Sequence, residues 1–360
     1  MATDYSYDPS RDLPIPPGEQ IREILEERGI SQVDFALRLG KSEKYVSQLV
    51  NGKATLSYGT AIELERVLGV PASFWNNCES IYRDALARMR REEEEAAQAE
   101  WAASFPLKEM ASNGWIARED SPAEALLGFF GVSSVDAFTA YWSSEKRLAA
   151  RMSTAYTAET QAIAAWLRAG EREAEQILTA PYSEAVFRDV LLELRAATRL
   201  TPTEWLPMMV ERCASAGVAV VFVPDLPRTR CYAVSWWTSR TRAVIQLGLR
   251  GKTDDQVWFS FFHEAGHLLL DDRSRMRISD LNGDEAAEAR ANTFASDLLI
   301  PPSDYAEFLA ATGRPRKAEV AAFAERLGIA PSIVVGRLQR EQRIPFNWMN
   351  DAKTKLRWGT

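Results

Sequence analysis

All of the histidine in this chain, His263 and His267, falls in one ten-residue run, FFHEAGHLLL, at residues 261–270. In an α-helix, residues four apart lie one above the other on a single face. If the pair acts together, the segment Trp258 to Leu270 is a helix, and the surrounding fold has to be built to serve it. Zinc takes imidazole nitrogen, and a hydrolytic zinc site has three protein ligands with a fourth position open to water. His263 and His267 fit two of those ligand positions. Glu264, directly after the first histidine, is placed to take a proton from such a water as general base. The competing reading is a buried apolar helix whose two imidazoles are satisfied within the core.

The chain has 360 residues, enough for two or three domains, and 46% of them are hydrophobic and 10% aromatic, which supplies buried cores and excludes a disordered protein. The opening MATDYSYDPSRDLPIPP carries acids and prolines instead of a basic stretch and an apolar run, so no signal peptide is expected. No apolar segment approaches the ~20 residues that span a bilayer. Cys78, Cys213 and Cys231 are spaced for neither a disulfide framework nor a zinc cluster. The expectation is reduced thiols, a cytoplasmic location and no membrane partner. A net charge of -7 argues against polyanion binding by the whole chain and leaves room only for a local basic face.

The fold class expected is mainly α with a small β-sheet (α+β). Helices are predicted at 18–29, over 32–39 between Ser31 and Gly40, after Ser42 as far as Asn51-Gly52, at 59–69, and from Phe74 toward Gln98, a five-helix bundle. In the second of these the apolar stripe is read as Val33, Ala36, Leu37 and Leu39. The acidic run Glu92 to Glu95 reads as a solvated helix end or linker. Residues 101–200 are again helical and carry no recognisable chemistry. Short strands are predicted at 217–224, 231–237 and 242–249, and helices at 283–298, 303–311, 316–327 and 331–341. This gives three expected domains: 1–90, a helical connector over 91–200, and 201–350 around the histidine helix.

Residues 31–52 have the layout of a helix-turn-helix, with Ala36 small where two helices approach, Gly40 at the turn and Val46 inward. The second helix would enter the major groove of double-stranded DNA. Its outward residues Ser42, Lys44, Tyr45, Ser47 and Gln48, with Lys41 before it and Lys53 beyond it, are the candidate DNA contacts. Gln48 is the best candidate for a base, because its amide can pair bidentately with adenine. The run ISQVDFALRLGKSEKYVSQLVNGKATLSYGTAIELERVLGVPASFW resembles the phage-repressor type of helix-turn-helix, in particular its antitoxin branch, over about residues 15–90. That resemblance implies operator binding as a homodimer.

A third metal ligand cannot be histidine, and Arg273 stands where an HExxHxxGxxH motif would place one. The run GDEAAEARANTFASDLLIPP offers Glu285, Glu288 and Asn292 on roughly one helix face. Spacing leaves these open, with a solvated face or a helix-internal hydrogen bond as the alternatives. WFSFFHEAGHLLL followed by EARANTFASDLLIP resembles the ImmA/IrrE metallopeptidases, from about Gly217 through 329–339. The resemblance implies a zincin-like domain with Zn2+ held by His263, His267 and Glu288, Glu264 as base and Asn292 as an outer partner. Tyr232, Tyr305 and Arg290 stand as candidates for stabilising an oxyanion. The function implied is a transcription regulator whose zinc endopeptidase cuts one protein partner or itself, with toxin or substrate as that partner. The alternative is a repressor or antitoxin whose peptidase-like domain senses a ligand without cutting.

Overall fold

The computed structural model describes residues 15–117, 121–142, 158–227, 229, 233–249, 253–272, 277–278 and 285–358. The chain divides into two compact units, Met1–Gln98 and Ala99–Thr360, so the expected connector 91–200 falls across both.

The first unit is helical because its capping residues cut the chain into short helices. These are α1 Pro17–Glu27, α2 Gln32–Leu39, α3 Glu43–Val50 and α4 Tyr58–Leu68, and a fifth helix, α5 Ala72–Ala103, runs on past the unit's boundary. Ser31, Ser42 and Ser57 each accept the backbone N–H three residues on, at 3.1–3.2 Å, satisfying a donor that a helix start leaves over. Gly40 and Gly69 close α2 and α4 in the left-handed region, at φ 68° and 72°. Ile21, Phe35, Ala36, Val46, Leu49 and Leu64 meet in the core. In α2 the buried face is Phe35, Ala36 and Leu39, whereas Val33 and Leu37 are 49% and 77% exposed, contrary to the stripe expected. Leu37 is two residues from both Phe35 and Leu39, ~200° around the helix, so it cannot share their face. The glutamates 92–95 are exposed, solvated as anticipated, but they lie inside α5 and are neither a helix end nor a linker.

In the second unit a four-stranded sheet lies between helices. Its strands are β1 Val218–Phe222, β2 Ala233–Ser239, β3 Arg242–Leu247 and β4 Arg277–Ile278, in the order β1-β3-β2-β4. β1 runs parallel to β3, and β2 is antiparallel to both β3 and β4. The two-residue β4 is too short to leave a period-2 signal in the sequence.

Both faces of the sheet are covered, which is why its strands read as apolar runs. One face carries Ala219, Val221, Val234, Trp236 and Val244 against α6 Leu107–Ser112, α7 Pro122–Phe130, α8 Val135–Trp142 and α9 Ala158–Glu175. The described helices between 102 and 174, where the sequence displays no chemistry, therefore share one core with this face of the sheet. The other face carries Val218, Val220, Ile245 and Leu247 against α10 Glu184–Ala197, α11 Pro202–Ser215 and α12 Asp254–Leu270. α12 begins one turn before the predicted Trp258. Beyond it lie α13 Glu285–Leu299, α14 Pro302–Thr312, α15 Lys317–Leu327 and α16 Pro331–Arg340. Among the described residues no helix is long and apolar enough to cross a membrane. Cys213 is buried and Cys78 half-buried, both as free thiols; Cys231 lies outside the described residues.

Candidate metal centre and nucleic-acid interface

α12 is a core helix: Trp258, Phe261, Phe262 and Ala265 are fully buried. Each such aromatic contributes about 1.5–3 kcal/mol by leaving water, and this burial anchors the polar face on the other side. That face carries His263, Gly266 and His267 toward α13, which answers with Glu288, Ala291 and Ala295. A Cβ on Gly266 would lie 3.2 Å from the Ala291 Cα and 3.1 Å from Phe294 Cδ1. Glycine on one helix and alanine on the other thus let the two backbones approach closely enough for Glu288 to reach the imidazoles.

Three ligand atoms converge there. His263 Nε2 and His267 Nε2 are 3.0 Å apart, and Glu288 places Oε2 3.2 Å from the first and Oε1 3.4 Å from the second. Tetrahedral zinc, with bonds of ~2.0–2.1 Å, sets its ligands about 3.3–3.4 Å apart. The separations are close to that spacing, and the donor set of two imidazoles and one carboxylate suits the ion, so the residues fit zinc. Glu285, the other carboxylate on the face read from spacing, is exposed and outside this cluster.

Each imidazole is held from behind. His263 Nδ1 lies 3.2 Å from Asn292 Oδ1, the outer partner expected, and His267 Nδ1 lies 2.7 Å from Asp271 Oδ2. Both oxygens accept, so each ring keeps its Nδ1 proton and turns the lone pair of Nε2 inward. Asp271 is absent from the sequence reading, although its position four residues after His267, just past the end of the helix, is a usable signal. Burial pushes the His267 pKa down, but its bonds to Glu288 and Asp271 and the charge of Glu264 outweigh that and lift it to about 9. Burial also raises Glu288, and the two imidazoles more than reverse this, bringing it to about 2.

Glu264 is fully buried and lines, with His263, Glu288, Asn292, Phe259 and Arg340, a cavity of about 430 Å³. Volumes of this order accommodate small ligands or short peptide segments. The expected oxyanion residues lie elsewhere. Tyr305 donates to Glu341 Oε2 at 3.0 Å, Arg290 donates to Asp271 Oδ1 at 2.8 Å behind His267, and neither lines the cavity. Tyr232 lies outside the described residues, as does Arg273.

In the first unit, α2 and α3 form the helix-turn-helix. Lys44, Ser47, Gln48 and Lys53 are exposed. Ser42 is exposed too, with its hydroxyl capping α3 through the Tyr45 N–H. Tyr45 is half-buried, and its hydroxyl shares a hydrogen bond with Thr60 Oγ1 at 3.2 Å, which ties the phenol to α4. Lys41 pairs with Glu63 at 2.9 Å.

These features define a regulator: a helix-turn-helix DNA-binding domain carried on one chain with a domain of metallopeptidase type. The helix-turn-helix family model matches residues 21–75, and the model of the IrrE N-terminal-like domain matches residues 213–339. The chain is thus similar to the helix-turn-helix family over its N-terminal part and to the IrrE N-terminal-like family over its C-terminal part. Two solved structures are similar to part of it. An addiction module antidote protein of a HigA family from Coxiella burnetii shares 25% identity, covering 23% of this chain and 90% of its own, with a TM-score of 0.22. A protein described as an antidote of a plasmid maintenance system from Nostoc punctiforme PCC 73102 shares 30% identity, covering 25% of this chain and 97% of its own, with a TM-score of 0.23. Among curated proteins none matches.

Proposed function

We propose that the protein represses transcription from an operator as a homodimer and that its second unit is a zinc-dependent endopeptidase acting on one protein partner or on the chain itself. The observation that carries the enzymatic part is the triangle of His263 Nε2, His267 Nε2 and the Glu288 carboxylate beside Glu264.

His263, His267 and Glu288 would hold the ion, and zinc there would supply Lewis acidity and activate a water at neutral pH. Asn292 and Asp271 keep the Nδ1 protons in place, so the ring orientation does not have to be found anew for each turnover. The Glu264 carboxylate takes the proton of the attacking water and passes it to the leaving nitrogen. The walls of the cavity exclude bulk water and position the peptide.

On DNA, α3 lies in the major groove, Gln48 reads a base, and Ser42, Lys44, Tyr45, Ser47 and Lys53 hold the backbone. Two copies place their α3 helices about 34 Å apart on successive turns.

A second reading, a repressor or antitoxin whose cavity senses a ligand or toxin without cutting, has one observation in its favour: Glu264 is 0% exposed, and a general base has to meet water. The two readings separate when the zinc-loaded chain and its Glu264→Gln variant are incubated with the products of neighbouring genes. Fragments from the unaltered chain alone support the peptidase. Cutting by both proteins, or by neither, removes the support for Glu264 catalysis, and only the absence of cutting favours the sensor.

A further inference from the structure

Behind the two imidazoles the hydrogen-bond chains run on to arginines. His267 Nδ1 meets Asp271, whose other oxygen accepts from Arg290 Nη2 at 2.8 Å. His263 Nδ1 meets Asn292 Oδ1, which also accepts from Arg340 Nη2 at 3.1 Å. The chains look alike, but their middle members differ chemically. A carboxylate accepts on both oxygens. An amide accepts on one side and donates on the other, so it can be set either way round.

We propose that Arg340 is a positioning residue that decides which end of the Asn292 amide faces His263, and through it which nitrogen of His263 is available to a metal. A guanidinium has only donors, so against Arg340 the amide must present Oδ1. That same oxygen lies 3.2 Å from His263 Nδ1, which must then be the protonated nitrogen. Nε2 is left with its lone pair, facing Glu288 at 3.2 Å. Without Arg340 nothing opposes the turned amide, whose NH2 would face Nδ1 and require a lone pair there. The proton then moves to Nε2, and the ring has nothing to offer an ion.

The guanidinium is itself placed, with its carbon 4.3 Å from the centre of the Phe259 ring, one turn before His263 on α12. Arg340 is the last residue of α16 and stands one position beyond the family match, which ends at 339. The metal centre is thus completed from a third helix, in addition to α12 and α13. Arg290 has no such part in the tautomer of His267, because Asp271 has no donor face to present.

This inference rests on the proposed metal site for its purpose, but its test does not need turnover. The full chain is labelled with 15N-histidine, freed of metal by chelation, and its ring nitrogens are assigned by NMR, which is tractable because it contains two histidines. The unaltered chain should carry the His263 proton on Nδ1. Arg340→Ala should shift it toward Nε2 and weaken zinc, read by competition with a chromophoric chelator, by about tenfold, the low end for loss of an outer partner. Adding Asn292→Asp to Arg340→Ala should restore both readings, since a carboxylate cannot be turned the wrong way. Arg290→Ala should leave the His267 Nδ1 proton in place. A His263 proton on Nε2 in the unaltered chain, no shift in Arg340→Ala, or failure of Asn292→Asp to rescue overturns the proposal. If the unaltered chain takes up no zinc, the metal reading falls, while the tautomer results still decide the role of Arg340.

Discussion

His263 Nε2 and His267 Nε2 lie 3.0 Å apart, with the Glu288 carboxylate within 3.4 Å of both. Two imidazoles brought this close need either a shared proton or a shared ion, and the carboxylate facing both favours a cation held among the three side chains. The arrangement leads to the following expectations.

Metal content is the first. The chain loaded with zinc should retain about one ion, as three-ligand sites do, and Glu288→Ala should weaken binding by more than the ~10–100-fold that loss of an outer partner costs. Elemental analysis after exhaustive dialysis measures it. Retention of zinc at equal strength by both proteins would place the ion elsewhere.

The pH dependence of that affinity has a defined sign. The pKa of His267 is raised from 6.5 to about 9 in the metal-free fold. Its proton therefore stabilises that fold fully below pH 6.5, and the contribution is lost as pH rises through 9. Zinc must displace this proton, so its affinity should climb about tenfold per pH unit between those values and then level off. Titration calorimetry across that range tests it, and a flat profile rules out His267 as a ligand.

Gly266 gives a steric prediction. A β-branched side chain there meets the Ala291 backbone and the Phe294 ring, so Gly266→Val should separate α12 from α13 and withdraw Glu288. Zinc affinity should fall at least tenfold, with a loss of stability of about 1–3 kcal/mol from overpacking. Denaturant midpoints and metal competition on the same preparation distinguish this from plain unfolding; unchanged zinc binding in a folded variant contradicts the close-approach argument.

On DNA, Gln48→Ala should relax preference at one base pair per half-site by about 1–3 kcal/mol. Lys44→Ala should weaken all sequences alike and reduce the salt slope by about one. Binding isotherms at several salt concentrations separate the two. If the Lys44 change is sequence-dependent, α3 does not sit in the groove as proposed.

Coupling between the units is the last expectation. A partner or peptide acting at the cavity should lower operator affinity by at least about fivefold, the low end of ordinary coupling. In Glu264→Gln the drop should vanish if self-cleavage is the route and persist if binding suffices. Operator affinity identical in both proteins, with and without partner, means that the units are merely tethered.

The sequence by itself determined the parts whose rules are local. Serine caps and glycine stops place the helices of the first unit because each satisfies or ends its own backbone within three or four residues. The i, i+4 spacing alone puts His263 and His267 on one face, and alternate burial on two covered faces accounts for the apolar strands. Tertiary structure decided what depends on distant groups meeting. It selected Glu288 over Glu285 for the cluster, because close approach at Gly266 and Ala291 fixes which turn of α13 faces the imidazoles. It set Phe35 inside and Leu37 outside, since the neighbouring helices choose the buried face. It joined the described helices between 102 and 174 to one face of the sheet and set Arg340 behind Asn292, 48 residues apart in sequence. No local pattern encodes that meeting, because the geometry of a hydrogen bond between two helices is fixed only once both are packed against a third.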